Sequence, residues 1–242
     1  MTEGMSLQME GDRSTNERTS KMVLYIGIFS IVMLFAGLSS AYVISSYGEL
    51  WVNISMPNAF YISTALILLS SLTIRMAVSA SNKGNEKSAS LFLLLTLGLG
   101  LGFGVSQFQG WAELTGNGSF FSGHVDNLTG EYGEDYTITY KGQELVKHEG
   151  NYYYPNDELY EKPLLDEISI YSNSASSYIY VLSFVHLLHV LGGFLFLIII
   201  YGVSKFSKSG KINNLRLRLG STYWHFVDGL WIYLFLFLLL IH

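Results

Sequence analysis

Residues 223–242 read YWHFVDGLWIYLFLFLLLIH. Before the terminal His242, His225 and Asp228 are the only ionisable side chains there apart from the phenols of Tyr223 and Tyr233. A spacing of three puts the imidazole and the carboxylate on one face of a helix. The apolar run that follows is long enough to carry that helix across a bilayer. Ionisable groups in such a place are costly to bury and are functional by default, with partners inside the protein.

Four further apolar segments match this one in length: Met22 to Ser46, Pro57 to Ser79, Ser88 to Ala112 and Ala175 to Val203. Each reaches the roughly 20 residues that a helix rising ~1.5 Å per residue needs to span the hydrocarbon. Half of all residues are hydrophobic and only 14% are charged, so too little polar chain exists to cover five such helices in water. The fold class predicted is all-α, a polytopic membrane protein with five transmembrane helices. Residues 1–21 are polar and read as a disordered cytoplasmic tail with no cleavable signal peptide, and residues 22–112 hold helices one to three. Residues 113–174 form an acidic outer segment, and residues 175–242 hold helices four and five. Cysteine is absent, which excludes disulfides, thiolate metal sites and thiol catalysis.

Basic residues fix the expected orientation. Arg13, Arg18 and Lys21 precede the first helix, and Arg75, Lys83 and Lys87 surround the connection of helices two and three. Lys205, Lys208, Lys211, Arg216 and Arg218 lie around the next connection on that side, so eleven of fourteen basic residues share it. The N-terminus is therefore expected in the cytoplasm and the C-terminus in the periplasm. On the outer side, residues 113–174 carry twelve acidic residues against three lysines, a net of −9. Within them, the run YTITYKGQELVKHEGNYYYP, with its Lys141–Gly142 turn signal, predicts a small β-hairpin. No DxDxDG pattern supports a calcium loop.

In helix four, His186 and His189 also stand three apart, followed by Gly192 and Gly193. Two histidines at that spacing could ligate a metal, and a haem-carrying subunit is the nearest competing reading. Bis-histidine haem needs a ligand from each of two helices at matched depth, and helix five offers only His225. The favoured reading makes His186, His189, His225 and Asp228 a hydrogen-bonded polar cluster linking helices four and five or facing a neighbouring subunit. Gly98, Gly102 and Gly110 in helix three are placed for close helix approach, and Gln107, Gln109, Trp111 and Glu113 for its outer end. Arg75 is a candidate contact for lipid headgroups.

These residues carry a family resemblance. YWHFVDGLW (Tyr223 to Trp231) resembles the signature of the last helix of cytochrome c oxidase subunit III, and SYIYVLSFVHLLHVLGG the helix before it. MLFAGLSSAYV (Met33 to Val43) and LLSSLTIRMAV (Leu68 to Val78) are similar to that family's preceding helices, in the same order. The chain is similar to the short, five-helix bacterial form. The resemblance implies a non-redox, lipid-binding subunit of a proton-pumping haem-copper terminal oxidase in the bacterial inner membrane. That complex carries electrons from cytochrome c to dioxygen in aerobic respiration. It also implies no catalytic residue, no metal ligand and no cofactor in this chain, with haem and copper in partner subunits, and phospholipid bound. Subunit I is the main partner implied, with subunit II and other oxidase subunits beside it. Arg75 and Trp224 are the candidate lipid-binding residues. Two departures stand out: Ile31 occupies the place of a glutamate found in many members, and Leu187 and Leu188 replace the usual Gly-Leu between the histidines.

The family pattern assigns no role to residues 113–174. Their charge suggests docking of cytochrome c or of a neighbouring respiratory complex, and nothing points to nucleic acid. A quinol-oxidising complex would use the same helices, and an independent transporter or small channel is the non-respiratory alternative.

Overall fold

The computed structural model describes residues 2–157, 159–206 and 212–241, with side chains from Thr15 onward except Asn16. Glu158, Lys208, Lys211 and His242, all counted above, lie outside the described residues. Among the described residues, five helices are long and apolar enough to cross a membrane. They are contained in α1 (Thr2–Ser46), α2 (Asn58–Asn82), α3 (Glu86–Gly116), α5 (Ser174–Phe206) and α6 (Asn214–Ile241). The remaining elements are the strands β1 (Leu50–Ile54), β2 (Tyr136–Tyr140), β3 (Gln143–Glu144), β4 (Val146–His148) and β5 (Asn151–Tyr153), a 3₁₀ turn at Val125–Asn127 and the short α4 (Leu165–Ile168).

The segment expected as a disordered tail is helical instead, continuous with the first span from Thr2. No proline interrupts it, and Lys21 closes an i, i+4 ion pair with Glu17 at 2.7 Å. A half of α6's most apolar window is buried, against 11% of α1's. Thus α6 is central to the packing and α1 presents most of its apolar surface outward, as a lipid-facing helix can.

The chain divides into two compact units. The first comprises residues 1–36, 68–100 and 189–229, and contains no strand among its described residues. The second comprises residues 37–67, 101–188 and 230–242, and holds all five strands.

In the strand-bearing unit, Trp231 is the centre of the helical packing. Its ring meets Phe60 and Phe103 edge-on and lies near the His186 ring, while its Nε1 donates to Thr64 Oγ1 at 2.9 Å. Gln107 is fully buried and donates to Ser63 Oγ at 2.9 Å, so it belongs to the interior rather than to the outer end of α3. Of the glycines singled out, Gly110 is the one with no room: a Cβ there would stand 2.3 Å from Cε1 of the buried Phe60. Gly98 has nothing within 4 Å of that position.

Strand formation follows the expected turn chemistry and adds to it. Lys141 (φ 50°) and Gly142 (φ 77°) form a two-residue turn with both residues left-handed, which matches the twist of β2 and β3. Glu149 (φ 47°) and Gly150 (φ 85°) repeat the arrangement between β4 and β5, so one expected hairpin is two. β1 pairs antiparallel with β2 over five residues, from Leu50↔Tyr140 to Ile54↔Tyr136. β2 alternates Tyr136, Ile138 and Tyr140 inward with threonines between them, the pattern of a half-buried strand.

Side-chain bonds hold these pieces together. Tyr136 and Tyr152 share a 2.7 Å hydroxyl contact, and Lys147 donates to the Tyr136 hydroxyl at 2.9 Å, which links the two hairpins. Tyr140 donates to Glu167 at 2.6 Å and Lys141 adds a 3.2 Å ion pair, together holding that carboxyl below the ordinary value of 4.5. Tyr171 donates to Glu49 at 2.7 Å, and the carboxylate pushes the phenol up to about 12.

Two outcomes follow. Gly110→Ala must displace Phe60 and is expected to cost about 1–3 kcal/mol, whereas Gly98→Ala is neutral; equal thermal midpoints for the two variants in detergent would contradict the packing described. Because the Glu167 carboxyl is lowered in the fold, its contribution is fully present above the unfolded value near 4.5 and is lost as pH falls through the lower folded value. Near-ultraviolet dichroism of the tyrosines should show the strand module loosening in that acid range, and Glu167→Gln should abolish this component of the transition.

Candidate functional site

The YWHFVD stretch lies in the strand-free unit, where α6 meets α2. Two neighbouring serines of α2 receive two neighbouring side chains of α6. Trp224 Nε1 donates to Ser70 Oγ at 3.0 Å, and Ser71 Oγ lies 2.6 Å from His225 Nδ1. Both contacts are polar bonds made inside an apolar segment, where few alternative partners compete. The signal was present in LLSSLTIR, since paired hydroxyls in a spanning helix are suited to bond across to another helix, but nothing in the spacing named their partners.

Trp224 was expected to touch lipid. It is fully buried instead, and the physical reason is the lack of side chains opposite it. A Cβ on Gly100 of α3 would stand 3.0 Å from Trp224 Cη2, and one on Gly193 of α5 would stand 3.3 Å from its Cε3. Two glycines thus make the slot that the indole fills, and the indole nitrogen is satisfied within it by Ser70.

The four residues expected to form one polar cluster are distributed over both units. His186 belongs to the strand-bearing unit, buried with its ring edge-on to Phe103 at 5.9 Å between centroids. His189 belongs to the strand-free unit, where its ring meets Phe35 and its backbone carbonyl accepts a 3.0 Å bond from the Tyr223 hydroxyl. His225 reaches α2 through Ser71. Asp228 is 2% exposed; its carboxylate completes no hydrogen bond of full geometry among the described residues, and the polar side chain that interacts with it is Ser71, the same serine that meets His225. Among those residues, no three His, Asp or Glu side chains gather as a metal-binding group.

Arg75 is exposed on α2, one turn beyond Ser71. Together with Leu68, Ser71, Leu72 and His225 it lines an open pocket of about 590 Å³. Among the described residues Arg75 has no ion pair. The same unit carries basic residues at the ends of its helices: Arg218 donates to Asn82 at 3.0 Å, and Lys87 and Lys205 line another pocket with Glu86. Chemically, the arrangement offers helix-to-helix bonding and a cationic surface pocket.

Ser70→Ala leaves the buried indole N–H of Trp224 without its acceptor and should cost about 1–3 kcal/mol. In a Trp224→Phe background the same change should cost much less, because the donor is already gone. Additive thermal shifts across this double-mutant cycle would show that the 3.0 Å contact contributes nothing.

No protein-family model matches the chain, and no curated protein matches it.

Proposed function

We propose that the chain is a non-redox accessory subunit of a haem-copper terminal oxidase, the subunit III type, and that it supports the catalytic subunit and binds phospholipid. The observation that carries this reading is the ordered set of four motifs on four of the five spanning helices. The packing is in keeping with a structural role. Trp224 and Trp231 of the last motif are used for contacts within the protein, and His225 joins α6 to α2. On this reading the helices lie in a bacterial cytoplasmic membrane with the N-terminus inside, which agrees with the eleven basic residues on one side. The acidic strand module then faces the periplasm and offers a basic electron donor, such as cytochrome c, a surface that acts mainly on association.

Purification through this chain in mild detergent tests the proposal. The expected outcome is co-purification of larger subunits with a haem a-type absorption spectrum and with turnover on cytochrome c that falls as salt rises. Haem bound to the isolated chain, or a chain that purifies alone as a functional oligomer, would overturn it. Turnover insensitive to salt would remove the docking role of the strand module while leaving the subunit assignment intact.

A further inference from the structure

We infer that the α2–α6 pocket of Ser71, Arg75 and His225 is a binding site for the phosphate of an anionic membrane lipid. The inference deepens the lipid-binding part of the proposal above by naming the site and the ligand class, but it depends only on the chain being membrane-embedded.

Arg75 is the starting point. It stands seven residues before the end of α2, about 10 Å along the helix axis. Leu68 and Leu72 precede it on the same pocket wall, both about half exposed. An exposed guanidinium at that position adjoins the apolar layer, and its cost is relieved only by an anion or by reach to the headgroup region. Among the described residues no carboxylate supplies the anion.

The surrounding groups select the ligand. Ser71 engages His225 through Nδ1, which fixes the ring and leaves Nε2 as the imidazole atom available to a ligand. Arginine presents a planar fork of N–H donors that matches two oxygens of a phosphate, and the imidazole adds a further polar contact. The pocket is open on its outer side, so it admits a phosphodiester with its glycerol as well as the guanidinium's immediate partner. The exposed leucines on the same wall supply a path for acyl chains. A lipid therefore satisfies the charge, the volume and the apolar wall at once, whereas an acidic side chain from a partner helix would satisfy only the charge. In the proposed orientation this is a lipid of the cytoplasmic leaflet.

The test uses the full chain, purified with whatever accompanies it, in phosphatidylcholine nanodiscs that contain a trace of photoactivatable phosphatidylglycerol. Labelling is expected on peptides that cover Leu68 to Arg75 and His225, competed by unlabelled phosphatidylglycerol but not by phosphatidylcholine or inorganic phosphate. Arg75→Ala should lower the labelling about tenfold and Arg75→Lys less, since the charge remains but the fork is lost. Because Arg75 is exposed, both variants are expected to fold, which the thermal midpoint verifies. Unchanged labelling in Arg75→Ala, or equal competition by phosphatidylcholine, overturns the site. So does competition by inorganic phosphate, which would make it a free-anion site, or a cross-link that instead traps a partner chain. The absorption spectrum of the same preparation reads the oxidase proposal separately, so loss of one result does not imply loss of the other.

Discussion

Everything in this molecule depends on how helices are made to adhere in a medium as apolar as their own side chains. Lipid tails compete with leucine for leucine, so association rests on close packing and on a few polar bonds. Here those bonds are supplied by indole and hydroxyl groups. Trp224 donates to Ser70 in one unit and Trp231 to Thr64 in the other. Each tryptophan combines a large contact area with a donor that must be satisfied when buried, which makes its position specific as well as adhesive. Glycine completes the device at Gly100, Gly110 and Gly193, where removal of a side chain lets a ring enter.

That constraint also explains which parts of the structure could be read from residue order. A span is defined by length and hydropathy alone, and Leu-rich runs such as Leu91 to Leu101 announce it without knowledge of neighbours. Contacts are not defined in this way. Trp224 near a helix end reads as an interfacial aromatic, and only the positions of Gly100 and Gly193 on two other helices turn it into core. His186 and His189 share a face in the sequence, and nothing in that spacing announces that their rings meet Phe103 and Phe35. The same limit applies to the first twenty residues. Their polarity removes the hydrophobic signal for a helix, but polarity does not forbid one when α1 already supplies a nucleus to propagate from.

Asp228 shows a different consequence of an apolar setting. It lies a turn from His225, buried, with the Ser71 hydroxyl as the polar group beside it. A carboxylate in that position is expensive as an anion, and among the described residues it closes no ion pair that would offset the cost. The two ionisable groups of the YWHFVD stretch are tied to one hydroxyl, since Ser71 meets His225 Nδ1 and also interacts with the Asp228 carboxylate. His225 is shared between a serine and the pocket, whereas Asp228 is enclosed.

The strand module solves a further problem of the same kind. The segment between α3 and α5 is long, and a loop of that length left free would carry a large conformational entropy. β1, a five-residue strand in the short connection of α1 and α2, was invisible as a strand because its partner is some 86 residues away in the chain. Once β2 pairs with it, two separate connections become one sheet, and the Lys141–Gly142 and Glu149–Gly150 turns fold the remaining chain back upon it. Tyrosines and aliphatic side chains then fill the small interior together. Tyr136 and Tyr152 join hydroxyls beneath Lys147, and Tyr140 reaches Glu167. The acidic segment is thereby ordered by buried aliphatics such as Val125, Ile138, Leu145 and Ile168 together with aromatic rings whose polar ends can face water or carboxylates. Its surface stays charged while its interior stays packed.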